Sequence, residues 1–416
     1  MSNAVPDGWD RVTINDNLAL MTDYVANGSF ESLRNNVQVF DERNHAMYVR
    51  LYDIRLGVGH GKQKYVDKNT FEFLRKSKLV EGDILIANIG ANVGEIFLMP
   101  KTSMPSTLAP NMVMMRCNKS TIPTFLYYFM SSDIGQRFIA LAISGSGQPK
   151  LNKTDLKKVT SILPPLPEQE KIAAILSSVD DVIEKTQGQI NKLKDLKIGM
   201  IRELLTKGIG HTEFKDSPVG RIPVEWSALT IRELVKFIGG SQPPRDTFVF
   251  EQKEGYVRLL QIRDYKSDRY ATYIQKELSR RWCDKDDIMI GRYGPPIFQI
   301  LRGKEGSYNV ALIKAEPMDN RLDKGYLYHF LCRNDLFQLI DSYSQRTSGQ
   351  TGIDMDALKD FGFPLPSLEE QKEIANRLDH LDNTIGLKKL KFEYLQNTKK
   401  ALMQDLLTGK VRVTVD

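Results

Sequence analysis

The sequence predicts an α+β protein: two α/β domains joined by two long, mutually paired helices, the whole an internal repeat with pseudo-two-fold character. Three observations carry this. The phrase PLPEQEKIAAIL, starting at Pro165, returns as PLPSLEEQKEIANRL, starting at Pro364. Each phrase opens a long window with apolar residues at coiled-coil spacing. Ahead of each window lies a stretch with strand-like apolar runs, aromatic helices and Gly-rich loops.

In chain order, residues 1–165 form the first domain. YVRLYDI, GDILIANIG and MVMMRC read as strands by their apolar and β-branched content. FLYYFMSSDIGQRFIALAIS reads as helical. Residues 166–208 form the central helix. Alternating steps of four and three from Ile172 give Leu176, Val179, Ile183, Thr186, Ile190, Leu193, Lys197, Met200 and Leu204, eight of ten apolar. Pro-rich sequence precedes the helix and Thr-Lys-Gly follows it, as start and stop signals require. Residues 209–365 form a linker and the second domain, with YLYHFLCRNDLFQLIDSYS as its helical stretch. Residues 366–416 form the distal helix and tail. The same steps from Ile374 are again apolar at eight of ten positions, and the polar breaks, Lys388 and Lys399, fall where Thr186 and Lys197 fall in the first helix.

At an offset of 202 residues the windows 168–206 and 370–408 share twelve identities, where about two or three would arise by chance. Upstream the correspondence loosens. Asp83-Ile84 matches Asp287-Ile288 at offset 204, Tyr48-Val49-Arg50-Leu51 matches Tyr256-Val257-Arg258-Leu259 at 208, and Pro6-x-x-Trp9 matches Pro223-x-x-Trp226 at 217. The helices are a fixed frame, and the domains ahead of them share only a skeleton. At about 1.5 Å per residue each helix spans on the order of 60 Å.

The chain has 416 residues, a formal net charge of +6 and 26% charged residues, a composition that suits a soluble multi-domain protein. No run reaches the roughly eighteen apolar residues of a membrane span, and the N-terminus lacks the pattern of a signal peptide. Three scattered cysteines argue against a disulfide framework, so the expected location is the cytoplasm. The helix windows carry seven acidic and six basic residues, then six and seven, so the positive excess lies in the domains and linkers. Those segments are the better candidates for meeting a polyanion.

Catalytic signatures are weak. GVGHGK at 57–62 lacks the spacing of a phosphate loop. GPPIF at 294–298 resembles the motif with which amino-methyltransferases hold a target amine, but Gly294 has no side-chain acceptor. Asp360-Phe361-Gly362 stands without the other kinase motifs, and the five histidines show no paired zinc spacing. The reading is a non-catalytic chain with no metal or cofactor of its own.

PPLPEQEKIAAIL, RELLTKGIG, HTEFKDSPVGRIPVEW and LPSLEEQKEIA…LLTGKVRV together resemble the specificity subunit of type I restriction–modification systems. The resemblance implies two target-recognition domains, each reading half of a bipartite site in double-stranded DNA, and an antiparallel coiled-coil spine between them. It further implies two adenine methyltransferase (modification) subunits and a restriction subunit as partners. S-adenosylmethionine and ATP would bind those partners, not this chain. A stand-alone bipartite DNA-binding or architectural protein remains the alternative.

Base edges carry sequence information and phosphates only position, so readers are expected on variable loops held by a rigid scaffold. In the first domain the candidates are Lys62, Lys64, Asn88, Asn92, Gln148 and Lys150. In the second they are Arg263, Tyr265, Lys266, Arg292, Tyr293, Gln345, Arg346 and Gln350. Gln148 and Gln350 recur in Ser-Gly-Gln and equally suit a turn. Arg263 has a counterpart in Arg55, which favours a phosphate or structural role, whereas Arg292 and Arg346 have no basic counterpart.

Overall fold

The computed structural model describes residues 5–145, 147–344 and 352–415. The chain forms two compact units, residues 1–187 with 391–416 and residues 188–390. Among the described residues no helix is long and apolar enough to cross a membrane.

The first unit is built on a four-stranded antiparallel sheet in the order Leu18–Asp23, Met112–Cys117, Ile84–Ala87, Ile96–Leu98. Its inner strands are apolar at successive positions because both faces are covered. Ile84, Ile86, Val113 and Met115 pack with Leu126, Phe129 and Ile139. Leu85, Met112 and Met114, on the opposite face, pack with Met47, Val49 and Leu108. One sheet thus divides a helical layer from a second β layer. The helical layer holds α1 (Pro123–Ser131) and α2 (Asp133–Leu141). The β layer is a five-stranded sheet with a parallel pair, Ala46–Val49 beside Ser106–Leu108.

One local expectation is corrected. YVRLYDI is a strand only to Val49, after which Leu51–Leu56 is helical. Asp53 accepts from the Arg50 backbone N–H at 2.9 Å and from its guanidinium, a capping arrangement that turns the chain. The helical stretch after Pro123 divides into two helices. Ser132 caps the second, its Oγ accepting from the Gly135 N–H at 3.1 Å. A Cβ on Gly135 would lie 2.1 Å from the Phe129 carbonyl oxygen, so only glycine allows this tight corner.

The helix α3 (Leu166–Lys207) contributes its first half to this unit. Just ahead of it, Thr160–Leu163 pairs with Asp10–Thr13 and ties the end of the domain to its beginning.

The second unit repeats this plan. Its four-stranded sheet runs Val235–Gly239, Leu312–Pro317, Ile288–Gly291, Gln299–Leu301. Ile288, Ile290, Ile313 and Ala315 face one cluster, and Met289 and Leu312 face another. Tyr256–Leu260 beside Gly306–Tyr308 is the matching parallel pair. The helical layer is α4 (Lys324–Leu331) and α5 (Asn334–Ser344), and Ser227–Thr230 pairs with Gly362–Leu365 ahead of α6 (Leu368–Leu406).

None of the twenty seam positions in α3 and α6 is exposed. In the first unit Lys399 reaches Asp180 at 2.6 Å, and in the second Lys197 reaches Asp382 at 2.6 Å. An early residue of one helix meets a late residue of the other in each unit, so the pairing is antiparallel. At one shared polar break, Lys197 and Lys399, the counter-ion comes from the facing helix; at the other, Thr186 bonds its own helix at the Val182 carbonyl and Lys388 donates to Gln189. Each helix is followed by a glycine at φ +68°, Gly208 and Gly409, the left-handed conformation that ends a helix cheaply.

Candidate nucleic-acid interface

The first unit gathers two of the predicted reading loops. Asn88 and Ile89 leave the central strand Ile84–Ala87, and Ile89 bridges to Lys150. The Leu151 N–H donates to the Asn88 carbonyl at 2.9 Å, and the Gly90 N–H to that of Pro149 at 3.1 Å. Asn88, Asn92, Gln148 and Lys150 therefore belong to one loop cluster. Asn92, Gln148 and Lys150 are exposed, and Asn88 is half-buried with its side-chain oxygen lacking a partner. Lys62 is exposed, and its carbonyl accepts from Arg50. Lys64 is half-buried and ion-paired with Asp41, so it is not free to meet a phosphate without exchanging partners.

In the second unit Arg292 and Tyr293 occupy the corresponding strand exit. The Arg292 N–H donates to the Ala311 carbonyl at 2.8 Å, and its exposed guanidinium lies 5.3 Å from the Tyr293 ring centre. The loop continues through a cis Pro295–Pro296 bond to Phe298. Arg263 and Lys266 are exposed. Tyr265 is not a surface aromatic: it packs against the Leu260, Cys283 and Met289 cluster, and burial raises the pKa of its hydroxyl. The Cys283 thiol beside it is likewise pushed up by burial, to about 12. Gln345, Arg346 and Gln350 lie outside the described residues.

The paired arginines do different work. Arg55 bonds Glu95 at 3.0 Å through Nε, bracing the helical turn against the Asn92–Glu95 turn. Arg263 lies over Tyr270, and so does Arg269, at 5.8 and 5.4 Å. Arg269 and Tyr270, both exposed, join the candidates. Only folding brings the two guanidiniums over one ring.

Behind the loops, each unit holds its domain on its helix pair through the repeated Glu-Gln. Trp9 Nε1 donates to Glu168 at 3.2 Å, and Trp226 Nε1 to Glu370 at 2.9 Å. Arg412 completes the first site, holding the Glu168 carboxyl below the usual carboxylate range, and His211 completes the second at 3.0 Å. Gln169 accepts from the Ile122 N–H at 2.8 Å and donates to the carbonyls of Ser120 and Pro164. Gln371 accepts from Asp323 and donates to Arg321 and Pro366 in the same way.

Among the described residues, His329, Asp379 and Asp382 bring potential ligand atoms within 4.8 Å of one another. Arg302 already pairs with Asp379 and Lys197 with Asp382, so the chain's own cations neutralise both carboxylates.

Residues 43–195 and 223–396 match the type I restriction modification DNA specificity domain. The chain belongs to that family. Members are recognition components of a restriction–modification complex rather than its catalytic subunits. The chain is 31% identical over 349 residues to the type I restriction enzyme MjaVIII specificity subunit of Methanocaldococcus jannaschii, covering 80% of each chain. To the putative MjaX specificity subunit of the same organism it is 30% identical over 372 residues, covering 85% of this chain and 84% of the relative. In fold it is similar to the crystal structure of the S subunit from M. genitalium, with TM-score 0.62, 15% identity and 98% of each chain covered. A chain from a study of type I complex assembly and conformational transition superposes with TM-score 0.56 at 18% identity, covering 99% of this specificity chain and 100% of that one.

Proposed function

We propose that this chain reads a split DNA site, one half per unit, and directs partner methyltransferase and restriction subunits to it. The observation that carries the reading is the contrast between frame and loops. Both units hold the same sheet order, the same parallel strand pair and the same Glu-Gln attachment. At equivalent strand exits, however, one presents Asn88 and Lys150 and the other Arg292 and Tyr293. A repeated scaffold with divergent loops suits two base sequences read by one design. Adenine methylation, S-adenosylmethionine and ATP belong on this reading to the partners. The two half-sites differ, because the loops that read them differ. Replacing residues 226–345 with the equivalent stretch of a relative tests it: the methylated site should change in one half and keep the other. A change in both halves would refute the modular reading.

A further inference from the structure

We infer that the Glu-Gln dyads, Glu168-Gln169 and Glu370-Gln371, are positioning residues that fix the angle of each recognition domain on its helix pair, and thereby the sharpness of the preferred gap between half-sites. The inference rests on the bipartite reading above and adds a determinant of spacing to it.

Gln169 is 1% exposed and Gln371 is fully buried. Each sits in the first turns of a long helix and, besides the proline carbonyl ahead of that helix, its amide bonds the segment entering the domain's own helix. In the first unit that segment is Ser120–Ile122, ahead of α1, and in the second it is Arg321–Asp323, ahead of α4. The neighbouring glutamate holds the indole N–H of Trp9 or Trp226, at the other end of the same domain. Two adjacent helix residues therefore grip one domain at two segments far apart in its chain. A single contact would leave a hinge, and two grips on different segments remove it.

The closing partners give a second, independent sign that this joint is under tight geometric control. Beyond Gly208 the chain returns His211 and the Ile209 N–H to Glu370, at 3.0 and 2.9 Å. Beyond Gly409 it returns Arg412 to Glu168 and, at 2.7 Å, to the Asp7 carbonyl. The end of the other helix in each unit thus locks the same carboxylate. A Cβ on Gly208 would lie 2.6 Å from the Trp226 ring, and one on Gly409 would lie 2.4 Å from Pro6, so the close approach is built into both copies.

The effect on recognition follows from leverage. A domain of this size has a radius of gyration of about 15 Å, which puts reading loops on the order of 30 Å from the joint. At that lever a swing of about 6–7° displaces a loop by one base-pair step of about 3.4 Å. Looseness at the joint should therefore blur spacing while leaving base contacts within each half intact.

The test uses the full chain assembled with its methyltransferase partner. Duplexes carrying both half-sites are compared in competition at the natural gap and at gaps one or two base pairs longer and shorter. Gln371→Leu and Gln169→Leu, each close to the native volume, should lower discrimination between the natural gap and its one-base-pair neighbours by about tenfold. Their discrimination against a scrambled half-site should stay unchanged. Trp226→Phe, which removes the indole donor together with part of the ring volume, is the second variant that decides the matter should a Gln→Leu chain not fold. Variants that lose thermal stability but keep the wild-type gap profile, or that lose affinity equally at every gap, would overturn the inference. A wild-type protein with no gap preference would instead overturn the bipartite reading beneath it.

Discussion

Arg292 shows how much one side chain can be asked to do. It leaves a central strand exposed, beside Tyr293, at a position where the other unit has asparagine. A bidentate arginine–guanine contact supplies roughly 1–3 kcal/mol of discrimination, whereas a phosphate contact affects all sequences alike. Arg292→Ala should weaken binding to the cognate duplex at least tenfold more than binding to a scrambled one, measured by competition; equal losses would make Arg292 a phosphate clamp. Lys150, exposed in the first unit, should behave in the opposite manner if it meets a phosphate. Lys150→Ala would then reduce the salt slope of binding by about one while sparing sequence preference. His329 carries a pH signature. Burial holds its pKa below the ordinary imidazole value of about 6.5, against the opposing pull of its bond to Asp379 and with Lys197 and Arg302 nearby. The unfolded chain thus binds a proton there more readily than the folded one, so stability is full above about pH 6.5 and falls as pH drops below it. The melting temperature of His329→Phe should fall less between pH 7.5 and 5.5 than that of the wild type. Parallel pH profiles would rule this residue out as the source.

Among the elements, the long helices were the most legible in sequence, because a 3.5-residue period is a local property that survives without knowing the partner. Their polar breaks were visible too, yet what Lys197 and Lys399 do was not. That each meets an aspartate of the other helix requires the antiparallel register, which no period states. A double-mutant cycle measures the consequence. With side chains 21% and 27% exposed, Lys197 and Asp382 should show a coupling of about 1 kcal/mol, above the typical surface pair; additivity of Lys197→Ala and Asp382→Ala would deny them that role. Strands were legible where apolar runs were unbroken, as at Ile84–Ala87 and Met112–Cys117. The strand through Tyr48 was overextended because an arginine–aspartate cap, not the apolar content, decides where it ends. Candidate readers were legible as loop composition only. Asn88 and Lys150 become neighbours through the bridge from Ile89 to Lys150, across sixty-one residues of chain. Tyr265 looked like a surface aromatic, but Asp264 caps the turn at Gln261 with a 2.7 Å bond and the ring goes inward.

For the whole molecule, the proposed function leaves spacing to the helices and sequence to the loops. Adding one heptad to both long helices keeps the seam in phase and lengthens each by about 10 Å, the rise of roughly three base pairs at ~3.4 Å each. The preferred gap should grow by about three base pairs with both half-sites unchanged; a protein that assembles and still methylates only the original spacing would show that the helices are not the ruler. The central claim, that one chain reads two different half-sites, meets its most direct test in methylome sequencing of the host with and without this gene. The account predicts that deletion removes adenine methylation from one motif made of two dissimilar halves separated by a fixed, unread gap. Loss of a contiguous or palindromic motif, or no loss at all, would contradict it.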